Sequence, residues 1–270
     1  MGVMSALVLA FVLGIGLSKI KNSAMLKVAE EFNQIVLMIV TNVLIPLVPI
    51  YIGCVFAKLS YSGEIFNTLK SFGIIYVLLF VLQLTYICIQ YCIAGAIKKQ
   101  NPFKLIKNMV PAYMTAVGTQ SSAATIPVTL QCVKKNDVNE EVLDFVVPLG
   151  ATIHLAGDTI TLVLTSMAVM YMNGQTPTFG MIMPFIFMLG VTMVAAPGVP
   201  GGGVMAALGL LESMLGFGAI EKPIMIALHA AQDSFGTATN VTGDGAIAIL
   251  VDYIINKKKG NSISKEDKVI

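Results

Sequence analysis

The stretch PIMIALHAAQDSFGTATNVTGDGAIAILVDYII, residues 223–255, is apolar enough to be a membrane-spanning helix, yet it carries His229, Asp233, Thr237, Asn240 and Asp244. Pro223 suits the first turn of a helix. At about 100° of rotation per residue, the five polar positions fall within roughly 80° of one another. One polar stripe on an otherwise apolar helix is a site or the lining of one. A carboxylate at mid-membrane costs on the order of 3 kcal/mol. Two on one face call for an ion or a substrate amine, or else for hydrogen bonds to neighbouring helices. His229, one turn before Asp233, is placed to bond to it.

The whole chain has the same character. Of 270 residues, 56% are hydrophobic and 12% charged, with a mean hydropathy of +0.82. Soluble domains carry about 25% charged residues. Backbone groups in lipid must be satisfied within each segment, and the apolar runs are too long for barrel strands, so the chain is an all-α integral membrane protein. Cys54, Cys88, Cys92 and Cys132 sit in or beside apolar runs without metal-ligand spacing and read as small core residues. No basic segment precedes the first apolar run, so nothing resembles a cleaved signal. There is no arginine; all 17 basic residues are lysines.

Outward from residues 223–255, the pattern alternates between full spans and broken pairs. Val3 to Ser18 is about 24 Å of helix at 1.5 Å per residue, short of a bilayer core of about 30 Å, and reads as the end of a longer span. Lys19 to Glu31 reads as a polar connection. Phe32 to Ala57 is a second span with a kink expected at Pro46 and Pro49, and Phe72 to Ile97 a third. Leu105 to Val117 and Ala124 to Cys132 are each too short to cross, and Gly118-Thr119-Gln120-Ser121-Ser122 separates them. Two half-length segments around a polar break predict a re-entrant hairpin whose tip reaches the midplane. Val142 to Met172 is a full span interrupted from Thr152 to Asp158. Met181 to Ala196 and Val204 to Phe217 form a second broken pair around Pro197-Gly198-Val199-Pro200-Gly201-Gly202-Gly203. The tail from Lys257 is expected to be disordered. With that tail in the cytoplasm, only Lys58, Lys70 and Lys222 fall outside, and the positive-inside bias fixes the orientation.

Two hairpins entering from opposite faces, each followed by a span with a polar centre, make an inverted repeat with a midplane site. Half-helix N-termini suit a substrate carboxylate, and exposed carbonyls suit Na⁺. Asp233 can pair with a substrate ammonium and Asp244 can complete a cation cage near residues 150–154. Together these ligands suit an amino acid coupled to Na⁺.

Four segments resemble one family. Gln120-Ser121-Ser122-Ala123-Ala124-Thr125-Ile126-Pro127-Val128-Thr129 looks like the serine-rich first hairpin of the dicarboxylate/amino acid:cation symporters, the glutamate-transporter superfamily. Pro148-Leu149-Gly150-Ala151-Thr152-Ile153, Gly198-Val199-Pro200-Gly201 and Asn240-Val241-Thr242-Gly243-Asp244 look like its seventh helix, second hairpin tip and eighth helix. The resemblance implies an elevator transporter with two re-entrant hairpins, gated by the second. It divides the chain into scaffold helices over 1–60, a transport domain over 66–256 and a cytoplasmic tail over 257–270. It further implies that the family's first three helices and most of the fourth are missing, as in a fragment, a split gene or an internal start. A homotrimer in the cell membrane is then expected, with its scaffold largely absent here. By the same resemblance Ser122, Val199, Pro200 and Gly201 hold the substrate carboxylate or line the pocket. Asp233 takes the amino group, and Thr237 and Asn240 complete the site. Carbonyls of Gly150, His154 and Asn240 with the Asp244 side chain bind one Na⁺; carbonyls of Thr152, Met193, Val194 and Ala196 bind a second.

The departures from the family narrow the substrate. Acidic-substrate members place an arginine where this chain has Gly236, and a bidentate guanidinium is the natural clamp for a side-chain carboxylate. No arginine exists here. Gln232-Asp233-Ser234, Thr237-Ala238 and Asn240 resemble the serine/threonine:Na⁺ branch, as does Ala156 where many relatives have an aspartate. His154 replaces an asparagine and Asp158 a threonine near the substrate. Four residues apart, His154 and Asp158 are expected to exchange a proton, which adds H⁺ as a second candidate coupling ion. Alternatively His154 is a neutral core group, and Asp158 selects a substrate with a polar or cationic side chain. The expectation is Na⁺ symport of a small neutral amino acid such as serine or threonine. A dicarboxylate or acidic amino acid symporter, a channel, and a non-transporting or partner-dependent fragment are the alternatives. The glycine-rich tip lacks the Lys-Ser/Thr of a nucleotide loop, and Thr242-Gly243-Asp244 lacks the first glycine of an intramembrane aspartyl protease motif, so neither an enzyme nor a nucleic-acid partner is expected.

Overall fold

The computed structural model describes residues 3–20, 24–39, 42–43, 46–47, 50, 53–54, 57, 60–61, 65–196, 198 and 200–266. Every regular element among them is helical. Helices α1 (Val3–Ser18) and α2 (Ala24–Ile39) precede α3 (Ile65–Lys98). α2 starts at Ala24, inside the segment expected to be a polar connection. Residues 24–31 consist largely of alanine, methionine, leucine, lysine and glutamate, and good helix formers need not be apolar. The kink expected at Pro46 and Pro49 falls on a segment only partly described.

The next two helices fold back on one another. Asn101 accepts the Phe103 N–H (2.9 Å) and opens α4 (Pro102–Thr119), with Pro102 at a position that needs no amide donor. Gln120 ends it in the left-handed region, at φ 52°. Ser121 then caps α5 (Ser122–Lys134) by accepting the Ala124 N–H at 3.3 Å. At the open end of the pair, Asn108 Nδ2 donates to Asn136 Oδ1 (2.7 Å) and Asn136 Nδ2 donates to the Leu105 carbonyl (3.3 Å). The two helices are therefore antiparallel, with their turn at residues 120–121.

An ion pair between Lys134 and Glu140 spans the following turn. Asn139 caps α6 (Glu140–Ile153), whose first turn carries Glu140 and Glu141, the charge a helix N-terminus favours. The helix path stops at His154 and Leu155, and α7 (Ala156–Met172) begins immediately. The break is thus narrower than the interruption expected over residues 152–158. α8 (Phe179–Met193) and α9 (Gly202–Leu215) are packed along each other. At 15 and 14 residues each is shorter than the roughly 20 residues needed to span a bilayer. Gly216 (φ 71°) closes α9, with the Phe217 N–H on the Leu211 carbonyl.

Helix α10 (Glu221–Glu266) is the axis of the structure and packs against α3, α4, α5, α6, α7 and α9. It runs past Lys257, where the sequence predicts a disordered tail to begin; residues 257–259 are lysines with good helix propensity. Among the described residues, three segments are long and apolar enough to cross a membrane: Phe72–Lys98, Glu140–Met172 and Glu221–Lys257. Two apolar clusters meet along α10. One includes Leu162, Phe185, Leu189 and Leu210 and takes Ile224, Met225, Ile226 and Leu228 from α10. The other includes Tyr91, Leu105, Met109 and Val147 and takes Ala238, Val241 and Ile249. Between these two sets of α10 residues lie His229, Gln232, Asp233 and Thr237, all buried.

Candidate functional site

The two helix-pair turns touch each other and α10. Ser121 Oγ donates to the Gly198 carbonyl at 2.9 Å. Gln120 Nε2 donates to Ser234 Oγ at 2.8 Å. Gly201, at φ 73°, adopts a backbone conformation open to glycine at little cost. Its N–H donates to Asp233 Oδ2 at 2.7 Å, while Thr237 Oγ1 reaches the other oxygen at 3.4 Å. The turn after α8 therefore caps the carboxylate at the centre of the α10 stripe.

Asp158 has two partners. His229 Nε2 lies 2.8 Å from Oδ1 and Asn240 Nδ2 lies 2.5 Å from Oδ2. Asn240 Oδ1 in turn accepts the Gly157 N–H at 2.7 Å. This places a donor-filled amide between α10 and the N-terminus of α7, where amides would otherwise lack partners. A side chain at Gly203 would come within 2.7 Å of Asp158 Oδ1, so glycine lets α9 lie directly over this network. Two expected pairings are corrected. His229 bonds Asp158 on another helix rather than Asp233 one turn away. His154 and Asp158, four apart in sequence, do not meet on one helical face because the helix is broken between them.

His154 instead turns to Asp244, with Nδ1 2.9 Å from Oδ1. Its Nε2 lies 3.4 Å from the Tyr86 hydroxyl, which accepts from Gln90 Nε2 at 2.9 Å. The His154 N–H bonds the Gly150 carbonyl at 2.8 Å. A Cβ added at Gly150 would come within 2.5 Å of Asp244 Oδ1, so the carboxylate rests on the α6 backbone.

The remaining predicted positions lie at the C-terminal ends of α6 and α8. Thr152 Oγ1 returns to the Leu149 carbonyl at 2.7 Å. Met193 and Ala196 are buried, Val194 is exposed, and the Ala196 N–H bonds the Met193 carbonyl at 3.1 Å. Gly198 sits so close to α6 that a Cβ there would be 2.8 Å from the Ala151 carbonyl. Two helix ends rich in carbonyls are thus brought together, the polarity a cation favours.

A cavity of about 10 Å³ lies among these groups, room for about one water molecule. It is lined by Ser122, Asp158, Asp233, Thr237 and Asn240, which are among the expected substrate-binding positions, and by Gln120, Leu155, Gly198 and Gly203, which are not. Pro200 adjoins the capping Gly201, and Val199 lies outside the described residues. Gly236 packs on the Gly157 backbone, with ordinary contact distances around the place a Cβ would occupy. Gln120 was legible as the polar residue at a turn between two apolar segments; Leu155 carried no signal.

Residues 1–254 match the sodium:dicarboxylate symporter family. The chain belongs to that family. Its members are transporters, not enzymes, and this all-helical membrane chain is a symporter-family protein. It is 30% identical over 182 residues to excitatory amino acid transporter 1 of Ambystoma tigrinum, covering 64% of this chain and 33% of the relative. The human protein of the same name is 29% identical over 181 residues, with the same coverage of both chains. Human neutral amino acid transporter A is 29% identical over 174 residues, covering 63% of this chain and 32% of the relative. The chain spans about a third of the length of these curated relatives.

Proposed function

We propose that the chain provides the substrate- and ion-binding part of a Na⁺-coupled symporter for a small neutral amino acid such as serine or threonine. The supporting observation is Asp233: a buried carboxylate, capped by the Gly201 N–H, in a cavity whose described lining includes no lysine and no arginine. An ammonium group is its natural partner, and nothing in the lining would clamp a second carboxylate. The relatives include both excitatory and neutral amino acid transporters, and Gly236 in place of an arginine favours the neutral class.

The amino acid and the Gly201 N–H compete for the same carboxylate. A cavity of about 10 Å³ cannot hold an amino acid, so the turn that carries Gly198 and Gly201 would lift for substrate to enter. It then recloses over the substrate, with Ser122 and the 199–201 backbone at its carboxylate and Thr237 and Asn240 beside its amino group. We assign the coupling Na⁺ to the carbonyls of Thr152, Met193, Val194 and Ala196, beneath that turn. The ion would then tie gate closure to Na⁺ occupancy. Transport follows as an elevator movement of residues 66–256 against scaffold helices, with the C-terminus in the cytoplasm and a trimer as the working assembly.

The test is binding of radiolabelled serine and threonine to the purified chain in detergent. Saturable binding in Na⁺ that Asp233→Asn reduces at least tenfold, with unchanged elution on size exclusion, is the expected result. Equal affinity in wild type and Asp233→Asn would remove the amine site from Asp233. Binding of succinate or aspartate in place of serine and threonine would favour a dicarboxylate or acidic amino acid substrate.

A further inference from the structure

The chain has only two histidines, and each faces a buried aspartate across a helix boundary. His229 belongs to the pocket network already described. His154 does not, and its surroundings form a directed chain of donors. Gln90 Nε2 donates to the Tyr86 oxygen at 2.9 Å. The Tyr86 O–H remains available to donate to His154 Nε2, 3.4 Å away, and we assign the contact that direction. With Nε2 an acceptor, the ring proton sits on Nδ1 and is donated to Asp244 Oδ1 at 2.9 Å.

Two glycines make room for this pair. Gly150 allows the Asp244 carboxylate to lie on α6. Gly243 does the same for the ring on α10, since a Cβ there would be 2.5 Å from His154 Cε1 and 2.8 Å from Gln90 Oε1. Asp244 is 1% exposed, so a carboxylate there needs a partner within the protein or an ion. The Gly150 carbonyl already accepts the His154 N–H. Asn240 lies mid-helix, where its carbonyl accepts the N–H of Asp244 four residues on; each of these carbonyls keeps a second lone pair, so the group that stands in the way of an ion is the ring.

We infer that His154 is the built-in partner of Asp244: its imidazole occupies the face of the carboxylate that a coupling Na⁺ would need, and this site does not bind Na⁺ in this chain. The family cage at Gly150, His154, Asn240 and Asp244 does not fit Na⁺ here, because the side chain at 154 fills it. His154 is thus a residue that sets cation selectivity and stoichiometry, and it leaves the carbonyls at the ends of α6 and α8 as the Na⁺ site. Only that last step rests on the proposed symport; the ring–carboxylate contact does not.

The first test uses the wild-type chain, labelled with ¹⁵N-histidine, as Na⁺ replaces choline at constant ionic strength. Two ring spin systems are expected, one with a hydrogen-bonded Nδ1–H that persists in Na⁺; His154→Asn identifies it by removing it. Loss of that Nδ1–H signature on adding Na⁺ would overturn the inference. The second test counts bound ²²Na⁺. Asp244→Asn is expected to leave the wild-type count unchanged, and His154→Asn to raise it by one ion that Asp244→Asn then removes. A fall in the count on Asp244→Asn alone would overturn it, as would no gain in a folded His154→Asn protein. If a variant does not fold, the spectrum of the wild-type chain decides. Neither readout involves an amino acid, so a failed serine-binding assay leaves this result standing.

Discussion

At the scale of single residues, His229–Asp158 and His154–Asp244 are pairs that cross between helices, and the residues around the first of them make predictions. His229→Ala leaves the Asp158 carboxylate buried with Asn240 alone, and breaking a buried pair costs about 3–5 kcal/mol. The thermal midpoint should fall accordingly. Gly203→Ala puts a methyl group within 2.7 Å of Asp158 Oδ1, where overpacking costs about 1–3 kcal/mol. Serine affinity should fall with stability, since α9 can no longer close over Asp158. Gly236→Arg has room at Cβ and brings a guanidinium beside the cavity. Aspartate or glutamate should then gain at least tenfold in affinity relative to serine in a competition assay; no gain would remove the missing arginine as the basis of selectivity. The residues of these pairs were legible in the sequence, but their partners were not. Spacing of four residues predicts contact only along an unbroken helix. His154 lies in the two-residue break that ends α6 and Asp158 lies beyond it, and His229 turns from its own helix to the start of α7.

At the scale of elements, the hydrophobic pattern located every helix from α3 to α10, because runs of apolar residues interrupted by Gln120-Ser121 or by Pro197 to Gly203 leave few alternatives. The ends were set by capping, which a hydropathy pattern does not register. Asn101, Ser121 and Asn139 start α4, α5 and α6 earlier than their apolar runs begin. Asn101→Ala removes the acceptor for the Phe103 N–H and should cost about 1 kcal/mol, with no change in substrate affinity because the cap lies at the far end of α4 from the cavity. The opposite outcome, lost affinity at unchanged stability, would place that end of the hairpin in the site. α2 was missed over residues 24–31 because its polar residues read as a loop.

At the scale of the molecule, α10 carries both the polar stripe and the junction between two apolar clusters, so the site lies where the parts of the fold join. The stripe, the broken pairs and the absence of arginine were all evident in the sequence. The closure was not: neither composition nor spacing reveals that the turn after α8 folds onto Asp233 through a backbone N–H and leaves a cavity of about 10 Å³. The most direct measurement is thermal unfolding of the purified chain with serine, threonine, alanine, aspartate or succinate, each in Na⁺ and in choline. A ligand at 100 times its Kd stabilises by about 2.7 kcal/mol. Stabilisation by serine or threonine in Na⁺ and not in choline, with none from aspartate or succinate, is the predicted result. Stabilisation by aspartate or succinate instead, or by none of the five in Na⁺, would contradict a neutral amino acid site in this chain.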